Sequence, residues 1–196
     1  MKNVPVVVLL AALAGCTVPH HPGPAPFPPS GPPSAAARAT AQEPAAQSAG
    51  KTAVPIGIGF TDDPDTMLLA GAVDFPMGEN WTIGPALQLG VDDDFTLIAP
   101  ICQVKRFFPI TSGDEGMRRL LPYVQGGAGL AYFNVDNGPG DNDDLGLLLQ
   151  VGGGLRYRMT DDLSLGTQMD LNFLPGEVLD ERYYFSWEVL QFVLSF

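Results

Sequence analysis

Histidine is nearly missing from this chain. His20 and His21 are the only two, and none follows them. The commonest general base near neutral pH is imidazole, so most hydrolytic schemes lose their central group. Cysteine is as scarce: Cys16 and Cys102 exclude a disulfide framework. Cations are few, with 10 Lys and Arg against 22 Asp and Glu and a formal net charge of -12. Binding nucleic acid needs a basic patch to neutralise phosphates, so no nucleic-acid partner is expected. Long apolar runs are missing too. The Val4 to Leu13 run falls short of the roughly 17–25 residues of a spanning helix. No segment carries helical periodicity.

What the chain does contain falls into three textures. Residues 1–16, MKNVPVVVLLAALAGC, pair a positive Lys2 with a short apolar run, the pattern of a signal peptide. Residues 17–53 are rich in Pro, Ala, Ser and Gly. So many residues there lack an N–H that neither a helix nor a ladder is sustained. The segment reads as a disordered, semi-extended linker, with His20-His21 as a solvated pair. Residues 54–196 alternate apolar and polar positions in short runs divided by Gly, Asp, Asn and Pro. Eight such runs, near 54–60, 67–75, 81–91, 95–108, 120–133, 145–159, 163–173 and 184–196, read as an all-β barrel or sandwich.

The two faces of these strands differ in kind. In LSLGTQMDLNF (163–173), Leu163, Leu165, Met169, Leu171 and Phe173 alternate with Ser164, Gly166, Gln168, Asp170 and Asn172. The same small, polar, glycine-bearing face recurs in 81–91, 120–133 and 145–159, where Leu148 interrupts it. Glycine weakens a strand exposed to water, but a small face suits the tight interior of an eight-stranded barrel. The large apolar face then points outward, to lipid. Aromatics on that outward phase collect in two groups: Phe75, Trp81, Phe108, Tyr157 and Phe196 at one end, Phe60, Tyr132, Phe173 and Tyr184 at the other. Two aromatic belts flanking an apolar band mark a transmembrane barrel. Asp74, Lys105, Arg156, Arg158 and Asp170 fall on the inward phase and are expected to form a polar lumen network, because lone charges there are costly.

The expected outer loops are 61–66, 92–94, 134–144 and 174–183; the expected opposite turns are 76–80, 109–119 and 160–162. The outer loops hold 13 of the 22 acidic residues. Such oxygen clusters can hold Ca²⁺ or Mg²⁺, yet no EF-hand register is present, and solvated loops are expected. No metal or cofactor is assigned.

Three resemblances attach to these residues. Leu13-Ala14-Gly15-Cys16 resembles the lipobox of bacterial lipoproteins, which implies cleavage before Cys16 and diacylglycerol on its thiol; Thr17 after it favours the outer membrane. LPYVQGGAGL (121–130) and GGGLRYRMTDDLSL (152–165) resemble strand patterns of small eight-stranded outer-membrane β-barrels, the broad family of OmpA transmembrane domains, OmpX and OmpW. Leu190, Phe192, Leu194 and Phe196 resemble the C-terminal signal read by the barrel assembly machinery. The family resemblance implies an up-and-down antiparallel barrel in the outer membrane of a Gram-negative-type bacterium, in contact with its lipid, with the N-terminus periplasmic. It implies no shared activity. The reading that results is a noncatalytic protein with a structural, surface-anchoring or adhesion role. A lipid-modifying barrel enzyme, or a soluble lipocalin-like lipoprotein holding an apolar ligand, are the alternatives.

Overall fold

A computed structural model describes residues 51–62, 65–92, 95–135, 142–178 and 181–196. The expected signal segment, Cys16 and nearly all of the expected linker lie outside the described residues. The strands are β1 (Ala53–Asp62), β2 (Thr66–Ala72), β3 (Phe75–Pro76), β4 (Trp81–Asp92), β5 (Phe95–Phe107), β6 (Leu120–Val135), β7 (Asn142–Arg158), β8 (Leu163–Val178) and β9 (Glu181–Ser195). All pairings are antiparallel, and β9 pairs back onto β1. The short β2 and β3 both pair with β4, so they are two parts of one wall strand. The sheet is therefore a closed eight-stranded antiparallel barrel.

The break between β2 and β3 has a local cause. Opposite it stands Pro85, which has no N–H to give; only the Val73 N–H donates to the Pro85 carbonyl, at 2.9 Å. Asp74 is instead tied to β1 by reciprocal backbone bonds with Ala53, at 2.8 and 3.0 Å. Those bonds hold the Asp74 side chain at the base of the lumen.

Side-chain direction follows the alternation. Leu171 is 47% exposed on the wall, while its neighbour Asp170 is 1% exposed inside. Ile56, Ile58, Leu145, Leu147, Val151 and Met169 also face outward and exposed. Phe75, Trp81, Phe108, Tyr157 and Phe196 all project outward at the end where β1 starts and β9 finishes, the terminal end. At the opposite, hairpin end the expected belt needs one correction. Phe60 and Phe173 face out, but Tyr184 is 2% exposed inside the barrel and Tyr183, at 63%, takes the outward place. The register between β1 and β9 slips at Ile58/Gly59, where Leu190 is followed by Glu188 as the next partner. One extra residue makes a β-bulge, so Val189 and Leu190 both lie outward. Counting in twos from Phe196 therefore gives the wrong face for every residue before the bulge.

The hairpins differ from expectation as well. Much of 174–183 is strand: β8 runs to Val178 and β9 starts at Glu181. Alternation simply continues past the outer belt, with Leu174 inward and Phe173 outward. The long turn 109–119 contains one helical turn, α1 (Glu115–Arg118), capped by Asp114, whose carboxylate accepts from Met117 N–H at 2.8 Å. Gly113 turns the chain into it at φ 102. A short polar cap, an acidic first turn and a basic last turn suffice for a single turn that no hydrophobic periodicity could announce. Among the described residues no helix is long and apolar enough to cross a membrane, which says nothing about strands.

Candidate functional site

The lumen is filled from end to end, in two chemically distinct parts. Nearest the hairpins lies an apolar plug of Leu97, Ala99, Ile101, Ala131, Phe133, Leu148, Leu174 and Tyr184. Leu148, which looked like an interruption of the polar face, is one of its centrepieces. The Tyr184 hydroxyl leaves the plug to donate to Gln88 Oε1 at 3.2 Å.

Below the plug the lining turns polar, and two carboxylate centres organise it. The first is Asp74. Its Oδ2 accepts from Arg156 Nη2 at 2.7 Å and from Lys105 Nζ at 3.3 Å, and Gln103 reaches Oδ1 at 3.4 Å. All three charged groups are buried. The Arg156 guanidinium also stands 4.9 Å from the Phe107 ring centre and 5.4 Å from that of Tyr123. Those two rings, 5.2 Å apart, give the cation a π-face where it lacks an oxygen.

The second centre joins Asp170 and Glu188 through amides. Gln125 Nε2 donates to Asp170 Oδ1 at 2.5 Å, and Gln168 Nε2 lies 2.8 Å from Asp170 Oδ2 and 3.0 Å from Glu188 Oε1. Gln191 Nε2 donates to Glu188 Oε2 at 3.0 Å, and the Tyr123 hydroxyl donates to Gln168 Oε1 at 2.9 Å. Separately, Gln150 Nε2 donates to Asn172 Oδ1 at 3.2 Å and Asn172 Nδ2 to Ser186 Oγ at 3.0 Å. A carboxylate can only accept, so the amide nitrogens of Gln125 and Gln191 are committed to it. Their Oε1 atoms consequently point away and meet no donor among the described residues.

Two glycines make room for these acids. A Cβ on Gly57 would fall on Glu188 Oε2, and one on Gly152 would fall on Asp170 Oδ1 and the Met169 carbonyl. Each carboxylate thus lies flat over the bare Cα of a neighbouring strand. That close approach explains why glycine stands on the inward phase at those positions.

Of the residues expected in the lumen network, Asp74, Lys105 and Arg156 come together directly. Asp170 lies in the lumen but bonds amides, not cations. Arg158 does not join them. It lines a depression of about 40 Å³ at the terminal mouth with Lys51, Asp161 and Ser164, and its side chain makes no bond among the described residues. Glu188 escaped sequence reasoning because the bulge at Val189–Leu190 reverses the phase before it. Leu190, Phe192, Leu194 and Phe196 share the outward face at the end of β9, while Cys16 lies outside the described residues.

The interior bounded by the described residues is tightly filled. Between Gln88, Gln103, Lys105, Gln150, Glu188 and Gln191 the space left is about 10 Å³, roughly the room of one water. Among the described residues most large apolar strand side chains lie outside and the inward ones form the packed plug, which is not the arrangement of a lipocalin-type cavity. Among the described residues no group of His, Cys, Asp and Glu is arranged to hold a metal.

Such a molecule belongs to a recognisable structural class: an inside-out, closed, eight-stranded β-barrel with a plugged lumen. No family model matches the chain, and no curated protein matches it. Among solved structures, it is similar to Neisserial surface protein A, with a TM-score of 0.60 at 14% identity over 76% of this chain and 98% of that one. The N-terminal β-barrel domain of Pseudomonas aeruginosa OprF gives 0.58 at 16% identity, covering 75% and 99%. Ail, the attachment invasion locus protein of Yersinia pestis, gives 0.53 at 12%, covering 74% and 97%. At these identities the likeness is one of fold.

Proposed function

We propose that this chain is a noncatalytic outer-membrane barrel that anchors surface hairpins, with a structural or adhesive role and its terminal end in the periplasm. One observation carries the reading: the barrel wears its apolar side outward. The described residues expose 28 large hydrophobic side chains, nearly all of them on the wall. Leaving such a side chain in water forgoes roughly 1.5–3 kcal/mol when it is fully exposed. Allowing for their being about half exposed, the total in water is on the order of 20–40 kcal/mol. Net stabilities are only about 5–15 kcal/mol, so hydrocarbon is the solvent that this surface fits.

The plugged lumen supports an anchor over a pore. The buried carboxylates support a structural role over catalysis, because each is already occupied by cations or amides and none faces a cleft. The acidic hairpin end, with Asp62, Asp65, Asp92, Asp143 and Asp144 among the described residues, offers the surface on which attachment would depend. Solved barrels of this fold include one named a surface protein and one an attachment invasion locus protein. Two further parts of the proposal are that Cys16 carries lipid in the periplasmic leaflet, and that Leu190, Phe192, Leu194 and Phe196 are read by the assembly machinery on insertion.

The test is fractionation followed by electrophoresis without boiling. The expected result is a protein that stays with outer membranes through carbonate and urea, and whose gel mobility changes on heating. Release into the soluble fraction, with mobility insensitive to heat, would overturn the membrane reading.

A further inference from the structure

The outer wall is not evenly greasy. Among the described strand residues, Arg106 is the only charged one on the outward phase between the two aromatic belts or within the terminal one. Its guanidinium sits over two rings of the terminal belt, 5.3 Å from the centre of Trp81 and 5.3 Å from that of Phe108. No carboxylate among the described residues pairs with it, although the chain as a whole is acidic. An arginine held on aromatic faces keeps its edge donors aimed away from the rings, in a fork that matches phosphate oxygens.

The same wall has a dent. A groove of about 390 Å³ runs over β1, β2 and β4, with Ile56, Leu69, Pro85 and Leu87 in its lining and Gly71 and Pro55 among its floor. The register explains it: Gly71 stands between Ile56 and Leu87 on the neighbouring strands, so one side chain is missing from an otherwise continuous row. A Cβ at Gly71 would meet nothing closer than the Pro55 carbonyl at 4.0 Å. The glycine is therefore not demanded by packing, unlike Gly57 and Gly152.

The two features lie along one path. Arg106 pairs across the sheet with Trp81, and Pro85 is four residues up the same strand, about 13 Å at the usual rise. A phosphate at the belt and a chain descending into the hydrocarbon are separated in just this way. We propose that the wall binds one anionic glycerophospholipid of the terminal-side leaflet, its phosphate on Arg106 and an acyl chain over Gly71. This rests on the membrane reading above. A phosphate without a cation of its own is the better occupant, because a zwitterionic choline headgroup brings a charge that competes with the guanidinium.

The experiment is native mass spectrometry of the purified, folded full chain in detergent supplemented with phosphatidylglycerol or phosphatidylcholine. Wild type is expected to retain one phosphatidylglycerol, at least fivefold more often than phosphatidylcholine. Arg106→Gln should abolish the headgroup preference. Gly71→Leu, whose Cβ would meet nothing closer than the Pro55 carbonyl at 4.0 Å, should lower retention of both lipids at least threefold. Arg118→Gln, at the same end but on the exposed helical turn, should change neither. Equal retention of the two lipids by wild type, or equal loss in Arg106→Gln and Arg118→Gln, or unchanged retention in Gly71→Leu, would each overturn the site. Heat-modifiable mobility of every variant is recorded alongside. A chain that embeds yet fails these tests refutes the lipid site alone, and one that does not embed refutes the reading beneath it.

Discussion

Replacing Asp74 by Asn keeps the shape of the side chain and removes its charge. Arg156 and Lys105, both buried, then face each other across an amide that can offer one oxygen in place of a carboxylate. Breaking a buried ion pair by deleting one partner costs about 3–5 kcal/mol, because the survivor stays desolvated. Here two survivors remain, at 2.7 and 3.3 Å from the atom that changes, so the upper part of that range is expected. Lys105→Met is the contrasting variant. It leaves Asp74 with its shorter partner Arg156 and removes a contact on the order of 1.5–3 kcal/mol, the usual worth of a bond to a charged group. The double variant should cost less than the sum of the singles, since Lys105 no longer needs its acid. Urea titration of the barrel refolded into vesicles, followed by the fluorescence of Trp81 and Trp187, gives all three values. An Asp74→Asn variant within about 1 kcal/mol of wild type, or less damaged than Lys105→Met, would refute the idea that one acid organises two cations; the ~1 kcal/mol margin is that of an ordinary hydrogen bond.

Further outcomes follow from the same geometry. Val151→Arg, midway along the outward row between Leu145 and Tyr157, should destabilise the vesicle-bound barrel by about 2–4 kcal/mol, whereas Asp143→Arg at the hairpin end should change the urea midpoint little. Gly152→Val must displace both Asp170 and the Met169 carbonyl, so it should cost more than about 2 kcal/mol in that titration, a strained-core penalty; Gly71→Ala should stay within about 0.5 kcal/mol, as for an ordinary surface change. Planar-bilayer recordings should give no stable conductance steps, and a regular ohmic pore would contradict the packed plug. Mass spectrometry of the mature protein should find Cys16 at the N-terminus carrying diacylglycerol, and Cys16→Ser should abolish that mass.

The wall was legible in the sequence because it obeys a period of two with a large difference in side-chain size. Leu145 through Tyr157 and Leu163 through Phe173 announced the barrel without any contact being known. What alternation cannot report is where it slips. One inserted residue at Val189–Leu190 hid Glu188 among apparent lipid-facing positions and put Tyr184 in a belt it does not join. Partnership was equally hidden. The inward phase gathers Asp74, Lys105, Arg156, Arg158 and Asp170 into one set, but depth along the strand sorts them, leaving Arg158 at the mouth and Asp170 among amides. The apolar plug had no such excuse of position: Leu97, Ala99, Ile101, Phe133 and Leu148 all sit on the inward phase. Lys105 already gave the inward phase of β5, which Leu97, Ala99 and Ile101 share; what alternation does not show is that these bulky residues from different strands meet at one depth.

The bond between Asp74 and Arg156 spans 82 positions in sequence, joining an early strand to a late one. Asp74 can meet Lys105 across β4 in an open sheet, but it reaches Arg156 only across the closed lumen. An intermediate that has recruited β7 but not sealed β9 against β1 would hold the Asp74–Lys105 pair without the shorter bond to Arg156. Sealing is thus rewarded late, so a partly wound sheet has little reason to linger in the bilayer.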